Sequence, residues 1–454
     1  MKKTLSILLA LVFVLGIAVV GCSGEGEVAP TSVELGATLP LTGIFAGFGE
    51  QGWGMQKAVD DWNDTYGGMY LEDWDVTVPV HLTIKDNQSD PNQVGSQSTD
   101  LVLTDGVDAL LSPNAPTDLH DPTTVVATEN HVPSIIGGGP FEPWYHGSQG
   151  NVAPPYTWFS GFSIGEPQPA PRNVAGYTMV DTWFLYMDAV GALNNTNGIA
   201  GVFASSDSDG TGWYAAFPTL MEDYGLTVVG YNETEGKVGF FPLTTTDYSS
   251  MVTYWKDHDV EILWGNCPGA HFGDLIAECY AQNFEPKICL AARAALFPTD
   301  VESWGTTPPL GEGVGCEVWW SPSYQVSDGF VGIGNRTSQS LADDFLADTG
   351  EPLNRAIGTG YAETQIMLNA IHEAGSLDGD AINAALAATD MQALCGWVNF
   401  DATTHFSAQP LAFGQWFYDS ENVDEPFYQY LTESALSEIP VEESPIYPLP
   451  DWYS

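Results

Sequence analysis

The feature that most limits what this chain can fold into is an alternation of short apolar runs with amphipathic ones, run through twice. From Val33, "VELGATL" reads as a strand, and the stretch after it places Met55, Val59 and Trp62 on one helical face. "VPVHLTI" is a strand, "NQVGSQSTDLVL" a helix, and "VDALLS", "VPSIIG" and "YTWFSGF" are short buried strands. The alternation restarts at "GIAGVFAS". It continues through a helix from about Trp213 to Tyr224, "LTVVGY", a helix at "YSSMVTYWKDH", "VEILWGN", a helix at "FGDLIAECYAQN", and "PKICLA". Strands separated by helices pair in parallel, because each crossover returns the chain to the same end of the sheet. The fold class is therefore α/β, with two successive units, each a mostly parallel sheet flanked by helices. After "GVGCEVWW" come three helices, "SQSLADDFLADTG", "YAETQIMLNAIHEAG" and "GDAINAALAATD", then strands at "GWVNFD" and "LAFGQWFY" and a Pro-rich tail. A length of 454 residues suits two large lobes better than one core.

The chain opens with "MKKTLSILLALVFVLGIAVVGCSG". Lys2 and Lys3 precede an apolar stretch, Leu5 to Val20, that is short for a membrane span and ends in small residues, as an export signal does. "VVGC" resembles the bacterial lipobox, which implies cleavage before Cys22 and lipid on its sulfur. Residues 1–21 are thus read as a lipoprotein signal peptide and 22–32 as a flexible tether, with lipid as the membrane anchor of an extracytoplasmic protein. Against 59 acidic residues stand only 11 Lys and Arg. Such a surface repels nucleic acid and anionic lipid. It also means that any arginine in a polar cleft needs a reason. The five remaining cysteines, Cys267, Cys279, Cys289, Cys316 and Cys395, are odd in number and lack zinc spacing. Export permits disulfides, and buried thiols are the plainer reading.

"GATLPLTGIFAGFGEQGWGMQKAVDDWND", Gly36 to Asp64, runs from strand through a Gly-rich loop into a helix. A phosphate cradle would end in Gly-Lys-Ser/Thr and a nucleophile elbow would hold a serine between glycines; both are missing. What remains is the wall of a binding cleft, with glycines letting backbone approach a ligand and Phe48 or Trp53 offering a flat apolar contact. For Trp53, packing of the helix is an equal reading.

The ordered set of segments resembles the type I periplasmic binding proteins, and more closely the branched-chain amino acid (leucine-binding-protein-like) receptors of ABC transporters. It is carried by the opening strand, loop and helix just quoted, "IKDNQSDPNQV", "SSDSDGTGWYAAF", "GYAETQIMLNAIHEAGSLDGDAINAALAATD", "GWVNFD" and "GQW". The resemblance implies two lobes joined by three hinge crossovers: residues 33–163 plus 325–392, and residues 164–324 plus 393–454. Ligand would lie between them, where loops at the carboxyl ends of parallel strands face each other.

The same resemblance nominates site residues. Phe48 matches a family aromatic. "SPNAPTDLH" resembles the turn that holds a ligand carboxylate, with Asn114 and Thr117 as the groups able to do so. In "IIGGGPFEPWY", Gly138 and Gly139 can offer amides, while Pro140 and Phe141 stand where the family has a small residue and a threonine. "SSDSDGTGW" brings Asp207, Asp209 and Trp213 to the second lobe's edge; Asp-x-Asp-Gly hints at calcium, but the closing bidentate Glu is missing. "WGNCPGAHF" adds Trp264, Asn266 and His271. "CLAARAALF" puts Arg293 where the family carries an acidic residue for the ligand ammonium. Arg293 then either pairs with nearby carboxylates or receives an anionic ligand.

No nucleophile–base pair, paired-carboxylate site or metal cluster has supporting context, so the expectation is a receptor and not an enzyme, with no cofactor. It would bind a small amino acid, amide or aromatic carboxylate and deliver it to an ABC permease. A sensor of the same fold, signalling to a membrane partner, is the alternative.

Overall fold

The computed structural model describes residues 28–113, 116–422 and 425–453. The signal peptide, Cys22, most of the tether and Asn114 lie outside the described residues.

The alternation folds as two sheets. The first has six strands in the order Phe406–Ala408, Thr157–Phe162, Ser134–Pro140, Ala109–Pro113, Val33–Leu39 and Val80–Asp86, every neighbouring pair parallel. The second places Phe240–Phe241, Ile199–Ser205, Ile262–Asn266, Ile288–Ala292 and Gly315–Val318 in parallel, then adds Ala412–Tyr418 and Phe427–Glu433 antiparallel at its edge. The central strands are buried along their whole length, as parallel strands covered by helices on both faces must be.

The first lobe's core is sealed by two helices, Gln51–Tyr66 and Ala356–Ala374. Met55, Val59 and Trp62, the positions legible in the sequence, are all buried there against Ile357, Tyr361 and the first sheet. The later helix starts at Ala356, five residues before the stretch that periodicity marked, because "AIGTG" is buried on every side and has no amphipathic signature. Three elements carried no legible period at all. These are the hairpin Met69–Leu71 with Val76–Val78, the helix Asp121–Asn130, and the helix Met179–Ala189, which is apolar nearly all round.

The chain passes between the lobes three times, after Phe162, after Val318 and after Ala408. The third crossing is later than the expected boundary at 392/393. The strand Phe406–Ala408 pairs with Thr157–Phe162, and the hairpin of Asp390–Ala393 with Gly396–Asn399 sends Leu394, Cys395 and Val398 into the first lobe's core.

All four arginines are turned inward. Arg172, on the first crossing, donates to the carbonyls of Trp397 (2.8 Å) and Asn399 (3.0 Å) and lies over the Trp397 ring. Arg336 ties the helix Gln51–Tyr66 to the helix Ser338–Thr349 through Asp61 and Asp344. Arg355 reaches from the first lobe to the Gln429 carbonyl and to Glu442 (3.6 Å). Arg293 lies in the cleft. The five cysteines named above are buried and unbridged.

Candidate functional site

The two sheets present their carboxyl ends to one cleft, and each wall is built by the segments that leave the strand ends. After Val33–Leu39 the chain makes a short 3-10 turn, Ala46–Glu50, that carries Phe45 and Phe48 across into the second lobe's apolar cluster. Phe48 meets Phe297 edge-on at 4.8 Å and lies roughly parallel to Trp319 at 6.2 Å. Gly47 makes this approach possible: a Cβ there would sit 2.3 Å from the Phe297 ring. The strand Ser134–Pro140 slips register between Gly137 and Pro140, with Gly138 at φ +72°, a bulge that ends regular pairing where the cleft begins.

The second lobe contributes charge. Asp207 caps the helix Ser208–Tyr224, accepting from the Gly210 N–H at 3.0 Å. This cap starts the helix five residues before the expected Trp213. Arg293 follows the strand Ile288–Ala292 in a left-handed conformation, φ +39°, that non-glycine residues rarely adopt and that costs roughly 1–3 kcal/mol. Its guanidinium donates to both Asp207 oxygens (3.2 and 2.9 Å) and to Ser205 Oγ (3.1 Å), with Phe45 beneath it. Burial pushes the Asp207 carboxyl up, but Arg293's charge and hydrogen bonds win and hold it below the ordinary range. Asp209 is farther from Arg293, at 3.8 Å, and is pushed up to about 6 by burial despite that cation.

Asp209 also bridges the lobes. One of its oxygens accepts from the Thr117 N–H (2.9 Å) and the Thr117 hydroxyl (2.8 Å). Beside it, the Asp118 N–H donates to Ser208 Oγ and the Ser208 N–H donates to Asp118 Oδ2, both at 3.2 Å. The cleft is therefore shut, and the cavity left inside is only about 10 Å³, room for little more than a water molecule. A wider opening of about 630 Å³ lies beside it, with Asp118, Glu142 and Asp207 on its walls.

Of the residues the sequence nominated, Phe48, Gly138, Gly139, Asp209, Trp213, Asn266 and Arg293 line the inner cavity together. Thr117 stands at its edge through Asp209. Others lie away from it. Trp53 packs edge-on against Phe345 at 5.2 Å in the first lobe's core. Phe141 stacks on Phe406 at 4.3 Å. Trp264 is wholly buried against Trp183. His271 shares a hydrogen bond with Tyr248.

Four lining residues escaped sequence reasoning: Phe162, Leu296, Glu317 and Trp319. Glu317 matters most. It stands in the strand Gly315–Val318, is 1% exposed, and its Oε2 has no hydrogen-bond partner. Burial pushes its carboxyl up to about 8, against the pull of its own backbone N–H and, more weakly, of the Trp183 indole and the Arg293 backbone N–H. A lone carboxylate inside "GVGCEVWW" was the available signal. Four further lining residues hold a buried polar atom without a partner: Asn266 Oδ1, Trp213 Nε1, Trp319 Nε1 and Arg293 Nε. Leaving such groups unpaired costs about 1–3 kcal/mol each, so the cavity is chemically incomplete as it stands.

A family model described as "Periplasmic binding protein" matches residues 32–421. Solved structures with the same fold include a leucine binding protein, LivK, from Thermotoga maritima, at 17% identity and a TM-score of 0.64, covering 84% of this chain and 95% of that one. A solute binding protein of an ABC transporter from Rhodopseudomonas palustris BisB5, in complex with 3,4-dihydroxybenzoic acid, is 14% identical with a TM-score of 0.64 over 90% and 99%. LivJ from Streptococcus pneumoniae, in complex with isoleucine, is 16% identical with a TM-score of 0.63 over 88% and 99%.

Proposed function

Because the chain belongs to the periplasmic binding protein family, an extracytoplasmic class of substrate-binding proteins and not of enzymes, we propose that it captures a small molecule between its lobes and delivers it to an ABC permease. The observation that carries this reading is the convergence of five incompletely bonded buried groups on one interlobe cavity. The closed cavity has room for little more than a water molecule, so a ligand enters with the lobes apart and meets these groups from both lobes as they come together on it, which makes binding and closure one event. Similar proteins hold isoleucine and 3,4-dihydroxybenzoic acid, which supports a ligand of amino-acid or single-ring size.

Capture at the cell surface needs an anchor. No described helix is long and apolar enough to cross a membrane, and "VVGC" offers lipid on Cys22 instead. The mature protein then partitions with membranes, and Cys22→Ala releases it or leaves it unprocessed. An unmodified mature N-terminus downstream of Cys22 refutes the anchor.

Mass spectrometry of molecules that co-purify, followed by a thermal-shift screen, tests the binding function. A true ligand at about 100 times its Kd stabilises the fold by roughly 2.7 kcal/mol. Solution scattering must show a smaller radius of gyration with ligand than without. Stabilisation without compaction contradicts capture between lobes.

A further inference from the structure

The charges around the inner cavity do not balance. It holds one cation, Arg293, and two carboxyls beside it: Asp207, fully engaged by the guanidinium, and Asp209, 3.8 Å away and turned toward Thr117. Glu317, from a different strand, adds a third carboxyl with an oxygen that nothing in the protein satisfies. An entering anion finds the guanidinium fork already taken by Asp207 and the Thr117 donors already taken by Asp209. It also meets Asp207 and Asp209, two carboxyls against one cation, and in a dry cleft their repulsion is poorly screened, while Glu317, pushed up to about 8, is protonated near neutral pH and adds none. The remaining open positions are a carboxyl oxygen at Glu317, an acceptor amide oxygen at Asn266, neutral indole donors on Trp213 and Trp319, and the Arg293 Nε–H, whose charge Asp207 already offsets. The walls are aromatic: Phe48 and Phe162 flank Trp319, at ring distances of 6.2 and 5.3 Å. Aromatic faces beside a carboxyl suit a cation and disfavour an anion.

We infer that the ligand is a small organic cation: a primary amine whose ammonium meets Glu317, carrying a neutral carboxamide or hydroxyl and not a free carboxylate. This rests on the reading of the chain as a cleft-binding receptor, and narrows the class of molecule it takes. A carboxamide fits the remaining groups, since its N–H₂ donates to Asn266 and its oxygen accepts from an indole. Arg293, its fork closed by both Asp207 oxygens, is not the receiver of an anionic ligand.

Matched pairs isolate the point. Glycinamide, alaninamide, leucinamide and phenylalaninamide each differ from the free amino acid almost only in replacing a carboxylate by an amide. Calorimetric titration of the full chain should give at least one amide a Kd about tenfold or more below that of its twin. Glu317→Gln should abolish that preference, while Asp209→Asn, which removes a neighbouring negative charge, should narrow it. Arg336→Ala, far from the cleft, should leave it unchanged. If Glu317→Gln fails to fold, proton release on binding the amide to the unaltered protein supplies the same answer, because the ammonium draws Glu317 into its ionised form. Equal or tighter binding of a free amino acid, of benzoate or of 4-hydroxybenzoate overturns the inference and leaves the receptor reading intact. Binding of none of the amides also overturns it. If in addition no small molecule compacts the protein, the receptor reading falls with it.

Discussion

Arg293 and Arg336 are both arginines held by aspartates, and they differ in what surrounds the pair. At Arg336 the charges match: Arg336 and Lys57 face Asp61 and Asp344, two cations for two carboxylates, with Tyr361 donating its hydroxyl to Asp61 at 2.8 Å. The group is partly exposed and ties one helix to another within a single lobe. At Arg293 one buried cation serves two aspartates, its backbone is held at a costly φ, and a third carboxyl shares the cavity. A balanced, partly wet cluster is what structure alone requires. An unbalanced, dry and strained one is maintained for something that arrives later.

Three substitutions test how far this contrast goes. Arg293→Ala should have the largest effect, destabilising the protein by about 3–5 kcal/mol in denaturant unfolding, because it leaves Asp207 and Asp209 buried without their cation. A loss below about 1 kcal/mol would put Arg293 in the same class as Arg336. Glu317→Gln comes next and its effect depends on pH. The carboxyl titrates near 4.5 when unfolded and near 8 when folded, so folding takes up a proton between those values. Glu317 therefore costs stability progressively as pH rises from 4.5 to about 8, and no further beyond. The variant should match the parent near pH 5 and exceed it by on the order of 2–4 kcal/mol above pH 8. Parallel stability curves for the two proteins would mean that Glu317 has a partner when folded. Arg336→Ala should do least, about 1 kcal/mol, and less at high salt, because solvent reaches its ion pairs. A salt-independent loss larger than that of Arg293→Ala would reverse the comparison.

The sequence carried the two-lobed α/β architecture because strand and helix periods are local, and parallel pairing results from their alternation. It lost the segments where the polar signal is thin. "AIGTG" at the start of the helix Ala356–Ala374 is buried throughout, and in the helix Met179–Ala189 only Asp181 and Asp188 break an otherwise mostly apolar run. The site was legible in part for a related reason. Phe48, Asp209 and Arg293 come after strand ends, and strand ends can be read. Trp53 and Trp264 were nominated for their chemistry. Which face of a helix or strand meets solvent is decided by the opposite layer, and here Phe345 and Trp183 claim them. Glu317 and Trp319 were overlooked for a related reason: the strand Gly315–Val318 lies beside Ile288–Ala292, but it pairs over its whole length with Ala412–Tyr418, a partner remote in sequence, and spacing alone does not say which of its residues reaches the cavity.

The inward turn of all four arginines has an effect on timing. With them inside, the described exterior keeps only five lysines, Lys57, Lys85, Lys237, Lys256 and Lys287, against nearly all the acidic residues of a chain whose formal net charge is −48. A field of that size reaches outward by about 8 Å at physiological ionic strength and by several times that in dilute buffer. Positively charged molecules are drawn in along it and encounter the cleft mouth more often than diffusion alone would bring them. Raising the salt should therefore slow capture much more than it speeds release, since the closed cleft shields what it holds.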